Sequence, residues 1–247
     1  MLISNSPRPF DEVALQLDEL GAPREAWSAL VTSGDATRGL LAARAPGPAW
    51  WIGPKRDGAL FDELGLAFAD PQDAAFVACT GLEDDETQTP EDYRPALSAA
   101  AVRGLEMVCA NPDRVVQRGG RLIWCAGALA ELYAGLGGKV VMAGKPFAPI
   151  YERAFAEAAR VLGRAVDRRR VLVIGDGVAT DITGANRQGL DALLVTGGIH
   201  AEAFTQDPGA PDPVRAGAFL EAAGASARYL TAQLAWSARP RHGRRNR

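Results

Sequence analysis

Continuous apolar runs, separated by stretches with helical spacing, constrain the fold of this 247-residue chain more than any other feature. Val171–Ile174 and Ala192–Val195 contain no polar residue, which is typical of parallel strands that are covered on both faces. The runs Trp50–Ile52, Phe76–Cys79 and Met107–Ala110 each end in turn chemistry and also predict buried strands. Because helical patterns lie between these runs, the sequence predicts an α/β fold with a parallel sheet.

The helical patterns are spaced along most of the chain. Apolar periodicity predicts helices near residues 10–20, 35–43, 57–64, 91–104 and 126–136, a long helix over Pro149–Leu162, and a strand over Val140–Met142. The helix near 91–104 opens after Thr89 and Pro90, a favourable cap and first-turn pair.

Composition narrows the class of protein. The formal net charge of −3 and the pI of about 5.5 argue against a nucleic-acid-binding domain, which is normally strongly basic. No apolar run approaches the roughly 20 residues of a membrane helix, and the first residues lack the pattern of a signal peptide. We therefore expect a cytoplasmic protein with no nucleic-acid or membrane partner.

The last nine residues contain five arginines, which we interpret as a solvated, disordered tail rather than a phosphate-binding one.

The segment from Val171 to Ile182 carries the most specific chemical signal. Its apolar strand ends in Gly175, so Asp176 is expected at the carboxyl edge of a sheet, where ligands bind in open α/β folds. A carboxylate there can hold Mg2+, and Asp181 follows closely enough to support it. A dinucleotide fingerprint is excluded because Thr180 stands where its third glycine would be. A purely structural Gly-Asp turn remains an alternative.

Two further segments are individually weaker. Lys145 follows a strand and Gly144, just ahead of the long helix, where a lysine can place its charge on a phosphate. Ser4 and Asn5 follow the short apolar stub Leu2–Ile3 and offer a hydroxyl and an amide to a phosphate oxygen. An ordinary solvated lysine and an ordinary turn are the alternatives.

Taken in chain order, these segments resemble motifs two, three and four of the haloacid dehalogenase-like hydrolases. The closest resemblance is to class IIA, which carries a large α/β cap between motifs two and three. Further matches lie at residues 31–34, 109–113, 184–186 and 194–198, so the resemblance spans about residues 2–205.

The resemblance implies a fold, a reaction and residue roles. It implies a Rossmann-like parallel-sheet core (1–31 and 144–212), an inserted α/β cap (32–143), and a helical extension with a basic tail (213–247). In this family an aspartate attacks the phosphorus of a small phosphorylated metabolite, and water hydrolyses the aspartyl-phosphate. By residue match, Ser4 and Asn5 would contact the phosphoryl group, while Lys145 would stabilise its charge and orient the nucleophile. Asp176 would bind Mg2+, supported by Asp181. The sequence itself leaves open whether the chain forms a homo-oligomer.

The family's first motif, with its nucleophilic aspartate, should precede Ser4. Asp84 and Asp85 follow a strand, but they lie in the expected cap and lack the D-x-D pattern.

Three hypotheses explain a chain with the later motifs but without the first one. The first is a phosphatase whose natural N-terminus lies upstream of Met1, which is the favoured interpretation. The second is a catalytically inactive protein that binds phosphorylated metabolites, and the third is a nonfunctional gene remnant.

Overall fold

The computed structural model describes residues 1–118, 121–204 and 212–234. The strands are β1 (Leu2–Ser4), β2 (Leu30–Thr32), β3 (Ala49–Ile52), β4 (Phe76–Cys79), β5 (Glu106–Cys109), β6 (Val115–Arg118), β7 (Arg121–Trp124), β8 (Lys139–Met142), β9 (Leu172–Gly175), β10 (Asp191–Val195) and β11 (Tyr229–Thr231). The α-helices are α1 (Phe10–Glu19), α2 (Ser33–Ala42), α3 (Arg94–Val102), α4 (Ala126–Gly135), α5 (Ala148–Leu162), α6 (Thr183–Arg187), α7 (Ala201–Phe204) and α8 (Pro213–Ala222). By its internal contacts the chain divides into two compact units, Met1–Val166 and Asp167–Arg247.

The first unit contains two parallel sheets and one hairpin. β1 pairs with β2 so that Ser4 lies opposite Thr32, and the larger sheet has the order β3-β4-β5-β8. All neighbours in the larger sheet are parallel, whereas β6 and β7 form a separate antiparallel pair. Parallel neighbours need crossover connections, which the intervening helices supply. The predicted α/β fold is therefore confirmed.

Apolar side chains cover both faces of the four-stranded sheet. On one face α3 and α4 contribute Leu97, Leu129 and Tyr133, which are fully buried with Met107 of β5. On the other face Leu41 of α2 joins a second cluster against β3, β4 and β5. This burial on both sides explains why the central strands are continuous apolar runs.

A capping box fixes the point where β2 turns into α2. The Thr32 hydroxyl accepts a hydrogen bond from the Asp35 N–H at 3.0 Å, and the Asp35 carboxylate accepts one from the Thr32 N–H at 2.9 Å. Two otherwise unpaired backbone donors are thereby satisfied at the helix start. As a result, α2 begins immediately at the carboxyl end of β2.

The second unit contains a three-stranded parallel sheet in the order β11-β10-β9. The apolar run that forms β9 predicted a strand covered on both faces, and this expectation is wrong on one side. Leu172 and Ile174 are 42% and 47% exposed, so one face of β9 is open in this structure. β11 was not predicted, because only three residues form it and it follows α8 in a segment expected to be helical.

Most of the predicted elements are confirmed to within a few residues, but the segment near 57–64 forms a 3-10 helix over Lys55–Phe61. The division into a core (1–31 and 144–212) and a cap (32–143) stays a prediction. The arginine-rich tail lies outside the described residues. Among the residues that are described, no helix is long and apolar enough to cross a membrane.

Candidate active site

Polar residues of the first unit gather where its strands end. Ser4 is the last residue of β1, Asn5 follows it, and Ser33 follows the last residue of β2. Asn111 lies two residues beyond β5, and Lys145 lies three residues beyond β8. The carboxyl ends of parallel strands are the usual ligand-binding edge of an α/β sheet, so these positions form a candidate site.

A two-way hydrogen bond joins Asn5 to Lys145 across 140 residues of sequence. The Lys145 N–H donates to Asn5 Oδ1 at 2.7 Å, and Asn5 Nδ2 donates to the Lys145 carbonyl oxygen at 3.2 Å. The Lys145 ammonium also donates to the carbonyl oxygen of Ile3 at 3.2 Å. These contacts hold the lysine beside Ser4, whose hydroxyl accepts a hydrogen bond from the Ser6 N–H at 3.1 Å.

Asp113 is an acidic member of the same group of residues. Burial raises the pKa of the Asp113 carboxyl, while a hydrogen bond with Asn5 and the charge of Lys145 act in the opposite direction. The Asp113 N–H donates to Asn111 Oδ1 at 2.9 Å, which fixes the loop after β5. We refer to Ser4, Asn5, Asp113 and Lys145 as the lysine cluster.

Only glycine fits at position 144, between the residues of the lysine cluster and their neighbours. A Cβ atom at this position would lie 2.7 Å from Pro112 Cδ, 2.8 Å from Asn5 Oδ1 and 2.9 Å from Ser33 Oγ. Real Cβ atoms do not approach other atoms this closely, so any other residue would push these groups apart. Close packing therefore requires glycine before Lys145, and this requirement cannot be read from the sequence alone.

The second unit carries two carboxylates just after β9. Asp176 follows the last residue of the strand, as predicted, and Asp181 lies in a π-helical turn over Val178–Ile182. Asp181 is 8% exposed, and its Oδ2 accepts a hydrogen bond from the Gly177 N–H at 3.0 Å. We refer to the segment from Gly175 to Ile182 as the acidic loop. Such π turns interrupt helices rarely, and often at functional sites.

Glycines leave room for both carboxylates of the acidic loop. A Cβ atom on Gly175 would lie 2.3 Å from Asp181 Cγ, and one on Gly198 would lie 2.1 Å from Asp176 Oδ2. Asp176 Oδ2 also accepts a hydrogen bond from the Ile199 N–H at 2.9 Å. Both side chains are thus held in place by backbone donors and by close-packed glycines.

The donor set of the acidic loop suits a hard divalent cation. Mg2+ commonly takes one or two protein carboxylates and completes its octahedron with water and phosphate oxygens. Asp176 and Asp181 supply two carboxylates. Within the described ranges no group of three or more His, Cys, Asp or Glu side chains could hold a metal. The residues present therefore fit Mg2+ bound largely by water and substrate, and do not form an all-protein cage.

The five residues predicted from sequence fall into two groups. Ser4, Asn5 and Lys145 are brought together in the first unit, and Asp176 and Asp181 share one loop of the second unit. No role is predicted for Asp113 from the sequence. Asn111-Pro-Asp113 lies within the family match at residues 109–113, and this match is the signal that could point to a role.

Comparison with known proteins identifies the family of this chain. A family model described as haloacid dehalogenase-like hydrolase matches residues 142–219. The chain is 30% identical over 207 residues to a 5'-nucleotidase of Bacillus subtilis, an alignment that covers 83% of this chain and 76% of that protein. The chain therefore belongs to the haloacid dehalogenase-like hydrolases.

Solved structures agree with the fold. A haloacid dehalogenase-like hydrolase from Brucella suis is 46% identical with a TM-score of 0.74, and the match covers 87% of this chain and 79% of that one. A glycerol phosphate phosphatase from Mycobacterium tuberculosis, solved with calcium, is 28% identical with a TM-score of 0.58. That match covers 83% of this chain but only 60% of the mycobacterial one, so the chain spans less than two thirds of this relative.

Proposed function

We propose that this protein is a Mg2+-dependent phosphatase that hydrolyses the phosphate monoester of a small metabolite. The observation that carries the proposal is the two-way hydrogen bond between the Asn5 side chain and the Lys145 backbone, which holds Lys145 at the end of β1, where its ammonium group donates to the carbonyl oxygen of Ile3, the residue before Ser4. Hydroxyl, amide and ammonium groups at such an edge are suited to a phosphoryl group. Relatives named as phosphatases and nucleotidases support the same class of reaction.

Each of the five predicted residues has a distinct proposed role. Ser4 and the backbone N–H of Asn5 donate hydrogen bonds to the oxygens of the phosphoryl group, because the Asn5 side chain is engaged by Lys145 and Asp113. Lys145 places a positive charge where negative charge develops. Asp176 binds Mg2+ and Asp181 supports it. When bound, Mg2+ neutralises and orients the phosphate.

The test measures phosphate release from p-nitrophenyl phosphate by the protein purified from its natural source. The N-terminal peptide is determined in parallel by mass spectrometry, because the nucleophilic aspartate of the family should precede Ser4. We expect release that EDTA abolishes and added Mg2+ restores. Binding of phosphate esters without release at any Mg2+ concentration would instead support the catalytically inactive binding protein.

A further inference from the structure

A cleft of about 460 Å3 lies within the first unit, next to the lysine cluster. Pro7, Arg8 and Asn111 line it, and Asn111 Oδ1 accepts the hydrogen bond from the N–H of Asp113. A phosphate held by the lysine cluster would have its attached organic group close to this cleft. The chemistry of the cleft walls therefore bears on which leaving group the protein accepts.

The three arginines of the cleft are already engaged by other side chains. Arg8 donates to Gln16, while Arg56 and Arg118 both bind the carboxylate of Asp85, with Arg118 at 3.0 Å. Burial of Asp85 raises its pKa, but the hydrogen bonds from Arg118 and Arg56 outweigh burial and lower the pKa overall. The lining also contains the carboxylates of Glu12, Asp57 and Asp85, which balance the three guanidinium groups in charge, so the cleft does not favour an anionic leaving group.

Asp57 also lines the cleft, but unlike Asp85 it is not paired with an arginine by a hydrogen bond among the contacts described. It is half-buried, and its hydrogen-bond partner is the neutral hydroxyl of Thr80. Trp51 Nε1 donates to Thr80 Oγ1 at 3.2 Å. An indole N–H can only donate, so the Thr80 oxygen accepts from Trp51 and its own proton is directed to Asp57. This chain of hydrogen bonds orients the Asp57 carboxylate.

Gly53 makes room for this hydrogen-bond chain. A Cβ atom there would lie 1.9 Å from Thr80 Oγ1 and 2.7 Å from Trp51 Nε1. Any larger residue would displace one of the two groups. The loop after β3 is therefore compatible with an oriented Asp57 only when glycine occupies position 53.

The β6–β7 pair contributes apolar side chains to the lining in addition to Arg118. Val116, Ile123 and Trp124 line the cleft there, and Trp124 is 37% exposed. An aromatic surface together with an oriented carboxylate suits a ring that has an apolar face and hydroxyl groups at its edge.

We infer that Asp57 is a specificity-determining residue that accepts a hydrogen bond from a hydroxyl group of the leaving group. The preferred substrates are then phosphate monoesters of neutral hydroxylated ring compounds, such as sugars or nucleosides. This inference rests on the proposed phosphatase function and names the substrate class of the same site.

The test compares four phosphate esters: ribose 5-phosphate, uridine 5'-monophosphate, p-nitrophenyl phosphate and 3-phosphoglycerate. Phosphate release is measured for the native protein, Asp57→Asn and the control Asp62→Asn, an exposed aspartate outside the cleft. We expect Asp57→Asn to lower kcat/KM for a hydroxylated ring ester by about 10- to 100-fold, as for loss of a hydrogen bond to a charged group. Activity on p-nitrophenyl phosphate, whose leaving group has no additional hydroxyl, should change by less than about twofold.

The outcomes separate this inference from the proposed function. If Asp57→Asn lowers kcat/KM for ribose 5-phosphate alone, the cleft binds a sugar. If it lowers kcat/KM for uridine 5'-monophosphate to the same extent, the cleft binds a nucleoside. Equal effects of Asp57→Asn on all four esters, or a preference for 3-phosphoglycerate, would overturn the inference while leaving the phosphatase function intact. No release from any ester by the native protein would overturn both.

Thr80 serves as a positioning residue in this scheme. Thr80→Val removes the hydroxyl that orients Asp57 and should lower kcat/KM for the same hydroxylated ester, whereas Thr80→Ser should restore it. If Thr80→Val instead lowers activity on p-nitrophenyl phosphate to the same extent, Thr80 has only a structural role and the orientation argument fails.

Discussion

The lysine cluster and the acidic loop differ in how far along the chain their contacts reach. Asn5 and Lys145 are separated by 140 residues, whereas the hydrogen bond between Gly177 and Asp181 spans only four. The lysine cluster therefore exists only when β1 and the segment after β8 have come together. The acidic loop is shaped mainly by its own backbone, with the Ile199 N–H as a more distant contact.

The two regions also differ in charge. The lysine cluster contains an ammonium group, an amide, a hydroxyl and one carboxyl, that of Asp113, whereas the charged side chains of the acidic loop are two carboxylates and no cation. The first set suits an anion such as phosphate and the second suits a cation such as Mg2+. If this division of roles is right, substitutions in the two regions must have separable effects.

The largest effect is expected from Asp176→Asn. Loss of the carboxylate removes the main proposed metal ligand, and metal ions stabilise developing charge by several kcal/mol. Mg2+-dependent phosphate release should fall by about 1000-fold or more. Glu221→Gln, an exposed charge on α8, is the matched control. Unchanged activity in Asp176→Asn would rule out its role as a metal ligand.

Lys145→Gln should have the next largest effect. Without the ammonium group the phosphoryl charge loses one charged donor, so we expect kcat/KM to fall by about 100-fold. The Mg2+ concentration at half-maximal rate should stay near that of the native protein. Lys139→Gln, at the exposed start of β8, is the control and should retain activity. A large shift in the Mg2+ requirement of Lys145→Gln would argue against separate roles.

Asn5→Ala tests how much the long-range contact stabilises the fold. The substitution leaves the N–H and carbonyl of Lys145 without their partly buried partner, which should cost about 1–3 kcal/mol in urea unfolding. Asn186 makes the same two-way bond with Ser226 at an exposed position, so Asn186→Ala provides a matched control. Water can replace the lost hydrogen bonds at that exposed position, so Asn186→Ala should lower the free energy of unfolding by less than Asn5→Ala does. An equal or larger loss in Asn186→Ala would contradict this account.

Asp57→Asn should also have a smaller effect on stability, separate from its effect on kcat/KM. Burial raises the pKa of Asp57 in the folded protein, so stability is highest when the group is protonated and decreases as pH rises through the folded pKa. A neutral asparagine removes this penalty. The variant should therefore melt at a higher temperature than the native protein at pH 7, and the difference should vanish in acid.

Asp84→Asn is the contrasting control for that measurement. Hydrogen bonds, chiefly from Thr87, lower the pKa of Asp84, so its contribution to stability is present at neutral pH and is lost as pH falls. Asp84→Asn should not raise the melting temperature at pH 7. A rise of equal size in both variants would show that the Asp57 effect does not come from burial.

The acidic loop could be predicted from sequence because its signal is local. A continuous apolar run followed by Gly175 and Asp176 places a carboxylate at a strand end, and the structure has β9 ending at Gly175. Asp181 lies on the same short segment. Neither position required knowledge of distant parts of the chain.

The contacts of the lysine cluster could not be predicted in the same way. Lys145 was singled out for its position after a strand, but its bond to Asn5 depends on the packing of segments that are distant in sequence. Asp113 was missed as a site residue because its burial comes from tertiary structure. The hairpin β6–β7 was missed as well, and so was β11, because short strands carry little periodicity.

Direct Mg2+ binding, measured by titration calorimetry, tests the division of roles most directly. The native protein and Lys145→Gln should both bind Mg2+, and Asp176→Asn should not. Mg2+ binding by Asp176→Asn with the affinity of the native protein would contradict the assignment of the metal to the acidic loop.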